Sequence, residues 1–184
     1  MLILASKSPR RKDLLSKICS DFVIINPKIN EDESRHHPHE HPLDVARLKA
    51  YRIFQNHPED DVLACDTVVI IDGEILGKPR DEKEAFQMLK KLSGKKHIVL
   101  SGYTFINRNR EINRTVRTEV YFRALDDNLI LRYIKTGSPL DKAGAYGIQD
   151  DFALVERIVG SYDNVMGFPC EDIAKHCFYT ILSL

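Results

Sequence analysis

Apolar positions along this chain change their spacing repeatedly, and each change predicts an element. Leu2-Ile3-Leu4-Ala5 reads as a short buried strand. Ser8 then offers an N-cap and Pro9 a first helical position, with Leu14, Leu15 and Ile18 as the inward face. Phe22 to Ile25 predicts a second strand, followed by a polar loop with Glu31, Asp32 and Glu33. Leu43 to Phe54 reads as a helix whose apolar face is Val45, Ala46, Leu48, Ala50 and Ile53. Lys49 lies among these positions, so it either snorkels to solvent or reaches into a cleft. From Val62 the chain becomes the β-branched run of a strand buried on both faces. Asp72-Gly73 predicts a hairpin turn into Glu74-Ile75-Leu76.

Further along, Asp81 caps an amphipathic helix lined by Ala85, Phe86, Leu89 and Leu92, with Gly94 placed to end it. Ile98 to Ile106 predicts a strand. Thr115 to Arg123 alternates, with Val116, Thr118, Val120 and Phe122 inward, as a half-exposed strand antiparallel to the one before would. Asp126 or Asp127 caps a helix over Leu129 to Lys135, which Gly137 and Pro139 end. Phe152 to Val159 predicts a last strand and Glu171 to Leu184 a closing helix. The sum is a mixed α/β fold with helices on a largely antiparallel sheet. Neither a repeat nor a linker interrupts it, so residues 1–184 are expected to form one domain.

Composition narrows the classes of function. With 27 Lys and Arg against 27 Asp and Glu, the formal net charge is zero. Broad binding to nucleic-acid phosphates is therefore not expected, although a local basic pocket remains compatible. The apolar runs fall short of a membrane span and the N-terminus lacks a signal-peptide layout, which predicts a cytoplasmic protein without membrane contact. Cys19, Cys65, Cys170 and Cys177 show no C-x-x-C pairing and read as buried thiols of a reducing compartment.

Candidate chemistry begins with Asp66. A carboxylate inside an apolar strand is costly unless a metal ion, a cation or a set of donors compensates it. The hairpin after it would bring Lys78 and Arg80 back toward the same end of the sheet; the bland alternative is a buried Asp–Lys ion pair without chemistry. Arg10 and Arg11 oppose the positive end of a helix dipole, a sign that a bound anion would reverse. With Ser6, Ser8 and free helix-start amides they make a candidate phosphate site. His36, His37, His39 and His41 are broken up by Pro38 and Pro42, which favours a surface loop over a metal site. Asp141 to Gln149 is a loop whose small residues permit close approach of a ligand to backbone. Gly73 to Lys78 lacks P-loop spacing and there is no G-x-G-x-x-G element.

These segments, in order, are S-K-S-P-R-R (Ser6 to Arg11), the Glu31 region, Lys49-Ala50, C-D-T-V-V (Cys65 to Val69) and G-K-P-R-D (Gly77 to Asp81). P-L-D-K-A-G-A-Y-G-I-Q (Pro139 to Gln149) and G-S-Y-D-N-V-M-G-F-P (Gly160 to Pro169) complete the set. Together they resemble the Maf family of nucleoside triphosphate pyrophosphatases along nearly the whole chain. The resemblance implies a cytoplasmic enzyme with an elongated inosine-triphosphatase-like fold, two lobes around a central groove, and dimers as common among relatives. It implies hydrolysis of a nucleoside triphosphate between the α and β phosphates. By the same likeness Asp66 is the catalytic carboxylate and a metal ligand, and Glu31 a second ligand of Mg²⁺ or Mn²⁺. Lys49 and Lys78 match phosphate-binding lysines, and Ser6 and Arg11 the phosphate-facing first loop. Arg10, Thr67 and Gln149 match the branch acting on dTTP and UTP. A nucleotide-binding regulator of septum formation, without turnover, is the alternative expectation.

Overall fold

The computed structural model describes residues 1–29 and 37–178. Seven strands, β1 (Leu2–Ala5), β2 (Phe22–Ile25), β3 (Asp61–Ile71), β4 (Glu74–Leu76), β5 (Lys96–Ile106), β6 (Glu111–Phe122) and β7 (Val155–Val159), form one sheet. The order is β2-β1-β3-β5-β6-β7, with β4 paired to β3 off that path. The helices are α1 (Pro9–Leu15), α2 (His41–Phe54), α3 (Glu82–Leu92), α4 (Asp127–Ile134), α5 (Tyr162–Val165) and α6 (Cys170–Ile173). The last continues as a π-type turn over Ala174–Phe178.

β1 runs parallel to both β2 and β3, whereas β3–β4 and β6–β7 are antiparallel. The sheet is therefore mixed, as the fold class expected, with its parallel pairs at this end. The reason is the connection: β1 reaches β2 through α1, and β2 leads to β3 through α2, the crossovers that parallel strands need. At the β3–β4 turn Asp72 has φ 53° and Gly73 φ 79°. Two successive left-handed residues match the twist of a tight hairpin, which accounts for the Asp-Gly pair there.

Two compact units result, one of Met1–Thr67, Ser101–Val116 and Gly167–Leu184, the other of Val68–Leu100 and Arg117–Met166. In the first, α2 buries Ala50 and Ile53 against Ile3, Ala5, Val62, Ala64 and Ile106. Gly102 allows this packing, because a Cβ there would lie 2.3 Å from the Leu43 nitrogen and 2.5 Å from the Pro42 carbonyl carbon. Helix α1 buries Leu14 and Leu15.

In the second unit α3 and α4 close over a core that includes Leu89, Val120, Phe122, Ile130 and Tyr133. The Asp81 and Asp126 side chains accept from the Glu84 and Leu129 amides as N-caps, so Asp126, not Asp127, is the cap of α4. The alternation of β6 holds, with Thr118, Val120 and Phe122 buried. Strand β7 starts at Val155, not Phe152, because Ala153 at φ 49° places a turn before it. The closing helix starts at Cys170 and loses α-helical spacing at Ala174; the rest of that expectation, residues 179–184, lies outside the described residues. All four cysteines are free, and Cys19 is only partly buried.

Candidate active site

Every residue of Val62–Ile71 is buried except Thr67. Strand alternation puts Val62, Ala64 and Asp66 on the face that α2 covers, and Cys65 and Thr67 on the other. β1 pairs with Asp61, Val62 and Leu63 only. Asp66 and Thr67 thus lie past the end of the β1 ladder, where the chain leaves β1 as Ser6.

On the α2 face, Lys49 Nζ donates to Asp66 Oδ1 at 2.8 Å. The two residues are 5% and 9% exposed, so the lysine does not snorkel to solvent. This pair answers the anomaly of the sequence: the compensating cation for the strand carboxylate comes from α2. Taking both charges out of water offsets most of their attraction, so such a pair adds little net stability. It leaves Asp66 Oδ2 outside the contact that holds Oδ1.

On the other face the Gly167 carbonyl accepts from three side chains. Arg11 Nε donates at 3.0 Å, Thr67 Oγ1 at 3.2 Å and Cys65 Sγ at 3.6 Å. Gly167 has φ 103°, a conformation that favours glycine. Burial pushes the Cys65 thiol up, which keeps it protonated as a weak donor despite the nearby Arg11 charge. Ser6 is buried, and its Oγ accepts from the Ser8 amide at 3.1 Å; Ser8 Oγ accepts from the Arg11 amide at 3.5 Å. The free helix-start amides expected from sequence are thus partly taken by the two serines. Arg10 is half-buried.

Lys78 and Gln149 belong to the second unit, and both are exposed. Their segments meet there: the Gly144 amide donates to the Gly77 carbonyl at 3.0 Å. Gly144 is needed at that point, since a Cβ would come within 2.9 Å of Val69 Cγ2. The turn bearing Gln149 is pinned from both sides, because Tyr133 Oη accepts from the Gly147 amide at 2.9 Å and donates to Asp150. Ser138 Oγ adds a second donation to Asp150 Oδ2 at 2.8 Å. Arg80 does not accompany Lys78 as a free cation. Its Nε is 3.0 Å from Glu84 Oε2, within the α3 cap.

The family model described as Maf-like protein matches residues 1–177. The chain belongs to the Maf family. A dTTP/UTP pyrophosphatase of Thermococcus kodakarensis is 51% identical over 177 residues, covering 95% of this chain and 94% of that protein. The namesake from Fusobacterium nucleatum is 44% identical over 178 residues, covering 95% and 93%. Among solved structures, the Staphylococcus aureus Ham1 protein is similar over 66% of this chain and 71% of its own. Its TM-score is 0.49 and its identity 14%, too slight a likeness to bear on the site.

Within this Maf chain the divalent-metal expectation rests on Asp66 and Glu31. Glu31 lies outside the described residues. Among the described residues, no group of three or more His, Cys, Asp or Glu side chains is disposed to hold a metal. One buried carboxylate is nonetheless a donor set suited to Mg²⁺, which is commonly held by one or two carboxylates with substrate phosphates supplying the rest. Sequence reading passed over two further groups at this site, Ser101 and Gly167. Ser101 is fully buried with its Oγ 2.8 Å from Thr67 Oγ1. Gly167 falls within the Gly160 to Pro169 segment of the family resemblance, but no residue letter marks its carbonyl as an acceptor. Among the described residues no helix is long and apolar enough to cross a membrane.

Proposed function

We propose that this Maf protein is a cytoplasmic nucleoside triphosphate pyrophosphatase that hydrolyses dTTP and UTP to the monophosphate and pyrophosphate. The observation that carries the reading is the buried Lys49–Asp66 pair, in which a lysine of α2 meets a carboxylate of β3 at 2.8 Å beyond the end of the β1 ladder. A pair that gains the fold so little is well suited to a site where charge must be handled away from water. The names of the relatives supply the substrate class.

In the proposed reaction a water oxygen attacks the α-phosphorus and the bond to the α–β bridging oxygen breaks. Pyrophosphate leaves with the bridging oxygen, and Asp66 accepts the proton of the attacking water. Lys49 neutralises Asp66 in the free protein and turns part of its donor capacity to the more highly charged triphosphate when substrate binds. Arg10, Arg11, Lys78 and the Ser6 segment hold phosphate oxygens, mainly by position and charge. Arg11 brings its guanidinium already oriented, since its Nε is fixed on the Gly167 carbonyl. Thr67 and Gln149 are assigned to base selection by the likeness to the branch acting on dTTP and UTP. Mg²⁺ or Mn²⁺, held by Asp66 and Glu31, would supply charge neutralisation on the phosphates and a more acidic water.

The test is a panel of canonical nucleoside triphosphates incubated with Mg²⁺ and assayed for pyrophosphate. Release from dTTP and UTP, at rates well above those for purine nucleotides, is the expected result. Binding of dTTP without release would favour the non-hydrolytic regulator instead, and release of orthophosphate would place the cut at another bond.

A further inference from the structure

Gln149 is exposed, on a turn that packing alone does not hold. Backbone closes the turn, since the Asp150 amide donates to the Gly147 carbonyl at 3.1 Å. Yet one flank faces a hollow lined by Gly147, Ile148, Asp150, Val155, Ile158 and Tyr162. The turn is held instead by polar bonds whose protons can run in only one direction. An ionised carboxylate only accepts, so Tyr133 Oη and Ser138 Oγ, the latter at 2.8 Å, each give their single proton to Asp150 Oδ2. Their lone pairs then accept, from the Gly147 amide at Tyr133 (2.9 Å) and from the Lys142 ammonium at Ser138 (2.8 Å). Lys142 places its other two protons on the Ser138 carbonyl at 2.6 Å and on Asp141 Oδ1 at 2.8 Å, so all three are taken within the chain. Burial and the Asp150 contact push the pKa of the Tyr133 hydroxyl up, which keeps it a donor. Gly147 leaves the room for this network: a Cβ there would lie 2.8 Å from Lys142 Cε and 2.9 Å from Asp150 Oδ2.

We propose that Asp150 is a positioning residue for substrate binding: as the common acceptor of Tyr133 and Ser138, it holds the 147–150 turn in the one shape that presents Gln149 to the nucleotide. This deepens the pyrophosphatase reading and rests on its assignment of Gln149. Tyr133 makes the device tight, because one hydroxyl takes the amide at the start of the turn and meets the carboxylate at its end. That hydroxyl is itself anchored. Tyr133 is fully buried on α4, with its ring 4.8 Å from that of Phe152. Asp150 does not need to touch the ligand. Without its carboxylate the Tyr133 and Ser138 protons turn elsewhere, and the Gly147 amide loses an acceptor of fixed direction. The turn then samples several shapes, and the cost of ordering it moves from folding to binding. The groups of the bond-breaking step, Asp66 and Lys49, are unchanged, so affinity falls and kcat does not.

The experiment is a double-mutant cycle of Asp150→Ala and Gln149→Ala, with Asp150→Asn and Tyr133→Phe alongside and thermal unfolding as the fold check. Calorimetric binding of the α,β-methylene analogue of dTTP, which cannot be cut, reads affinity without turnover. Pyrophosphate release from dTTP reads KM and kcat. Asp150→Ala is expected to weaken binding and raise KM by about 10-fold, the scale of one lost charge-assisted hydrogen bond, with kcat within about 2-fold of wild type. Asp150→Asn keeps an oxygen for both protons and should restore most of the affinity. Tyr133→Phe unties both ends of the turn and should match Asp150→Ala, so it carries the test if the alanine variant does not fold. In the Gln149→Ala background Asp150→Ala should cost nothing further, because the group it positions is gone. Additive losses overturn the proposal, as does a folded Asp150→Ala or Gln149→Ala protein that binds like wild type. A fall in kcat at unchanged KM also overturns it, and so does an Asp150→Asn protein no better than Asp150→Ala. Wild type that binds the analogue but releases no pyrophosphate from dTTP strikes the pyrophosphatase reading instead, and the affinities of the cycle still decide the role of Asp150.

Discussion

Lys49→Met leaves the Asp66 carboxylate buried beside an apolar side chain. Its former partner stood 2.8 Å away, and the residues are only 5% and 9% exposed, so little water reaches the orphaned charge. Removing one member of such a pair typically costs about 3–5 kcal/mol. Removing both, as Lys49→Met with Asp66→Val, deletes the unpaired charge and supplies two apolar groups that suit the α2 interface and a β-strand. That double variant should recover to within about 1 kcal/mol of wild type, or exceed it, because a well-packed apolar pair is often as stable as the ion pair it replaces. Urea unfolding followed by far-UV circular dichroism gives the midpoints and slopes for all four proteins of the cycle. Pyrophosphate release from dTTP should be lost in the double variant although its stability returns. A double variant as unstable as Lys49→Met alone would refute the charge-compensation argument. One that is both stable and active would show the pair to be ordinary packing.

Three further expectations follow from the same geometry. His97 is 2% exposed, its Nδ1 has no hydrogen-bond partner among the described residues, and burial pushes its pKa down from 6.5 to about 4. Because the unfolded chain binds the proton first, stability is full above about pH 6.5 and falls by about 3 kcal/mol as pH drops toward 4. His97→Gln should flatten that part of the stability–pH curve, and an unchanged acid limb would contradict the assignment. Gly102→Ala puts a Cβ 2.3–2.5 Å from the backbone of Pro42 and Leu43, so α2 must move. It should cost about 3 kcal/mol and shift Lys49 off Asp66, read as a lower melting temperature together with lower turnover. Hydrolysis in ¹⁸O-water should put the label in the monophosphate and none in pyrophosphate; label in pyrophosphate would place the attack on the β-phosphorus.

Local chemistry made much of this fold readable in the chain. Ser8, Asp81 and Asp126 announced their helices because an N-cap is a contact between near neighbours. Asp72-Gly73 announced its hairpin for the same reason. Asp66 stood out because a charge in a β-branched run violates a local rule. What was not readable is what distance in sequence conceals. Lys49 lies 17 residues before Asp66, on a helix whose apolar face gives no hint whether a lysine bends outward or inward. The parallel β1–β3 ladder depends on where crossovers lay the strands, and short apolar runs carry no direction. Gly167 acts through its carbonyl oxygen, and backbone groups have no letter in the sequence. Ser101 is one hydroxyl in a strand, ordinary until Thr67 is seen 2.8 Å away.

Turnover of Asp66→Asn tests the core of the account most directly. The amide keeps the size of the side chain and an oxygen to accept from Lys49, but cannot take a proton from water. With fold verified by circular dichroism and dTTP binding retained, pyrophosphate release should fall by about 100-fold or more, the scale of a lost general base. Release within a few-fold of wild type, in a folded protein that binds dTTP, would contradict it.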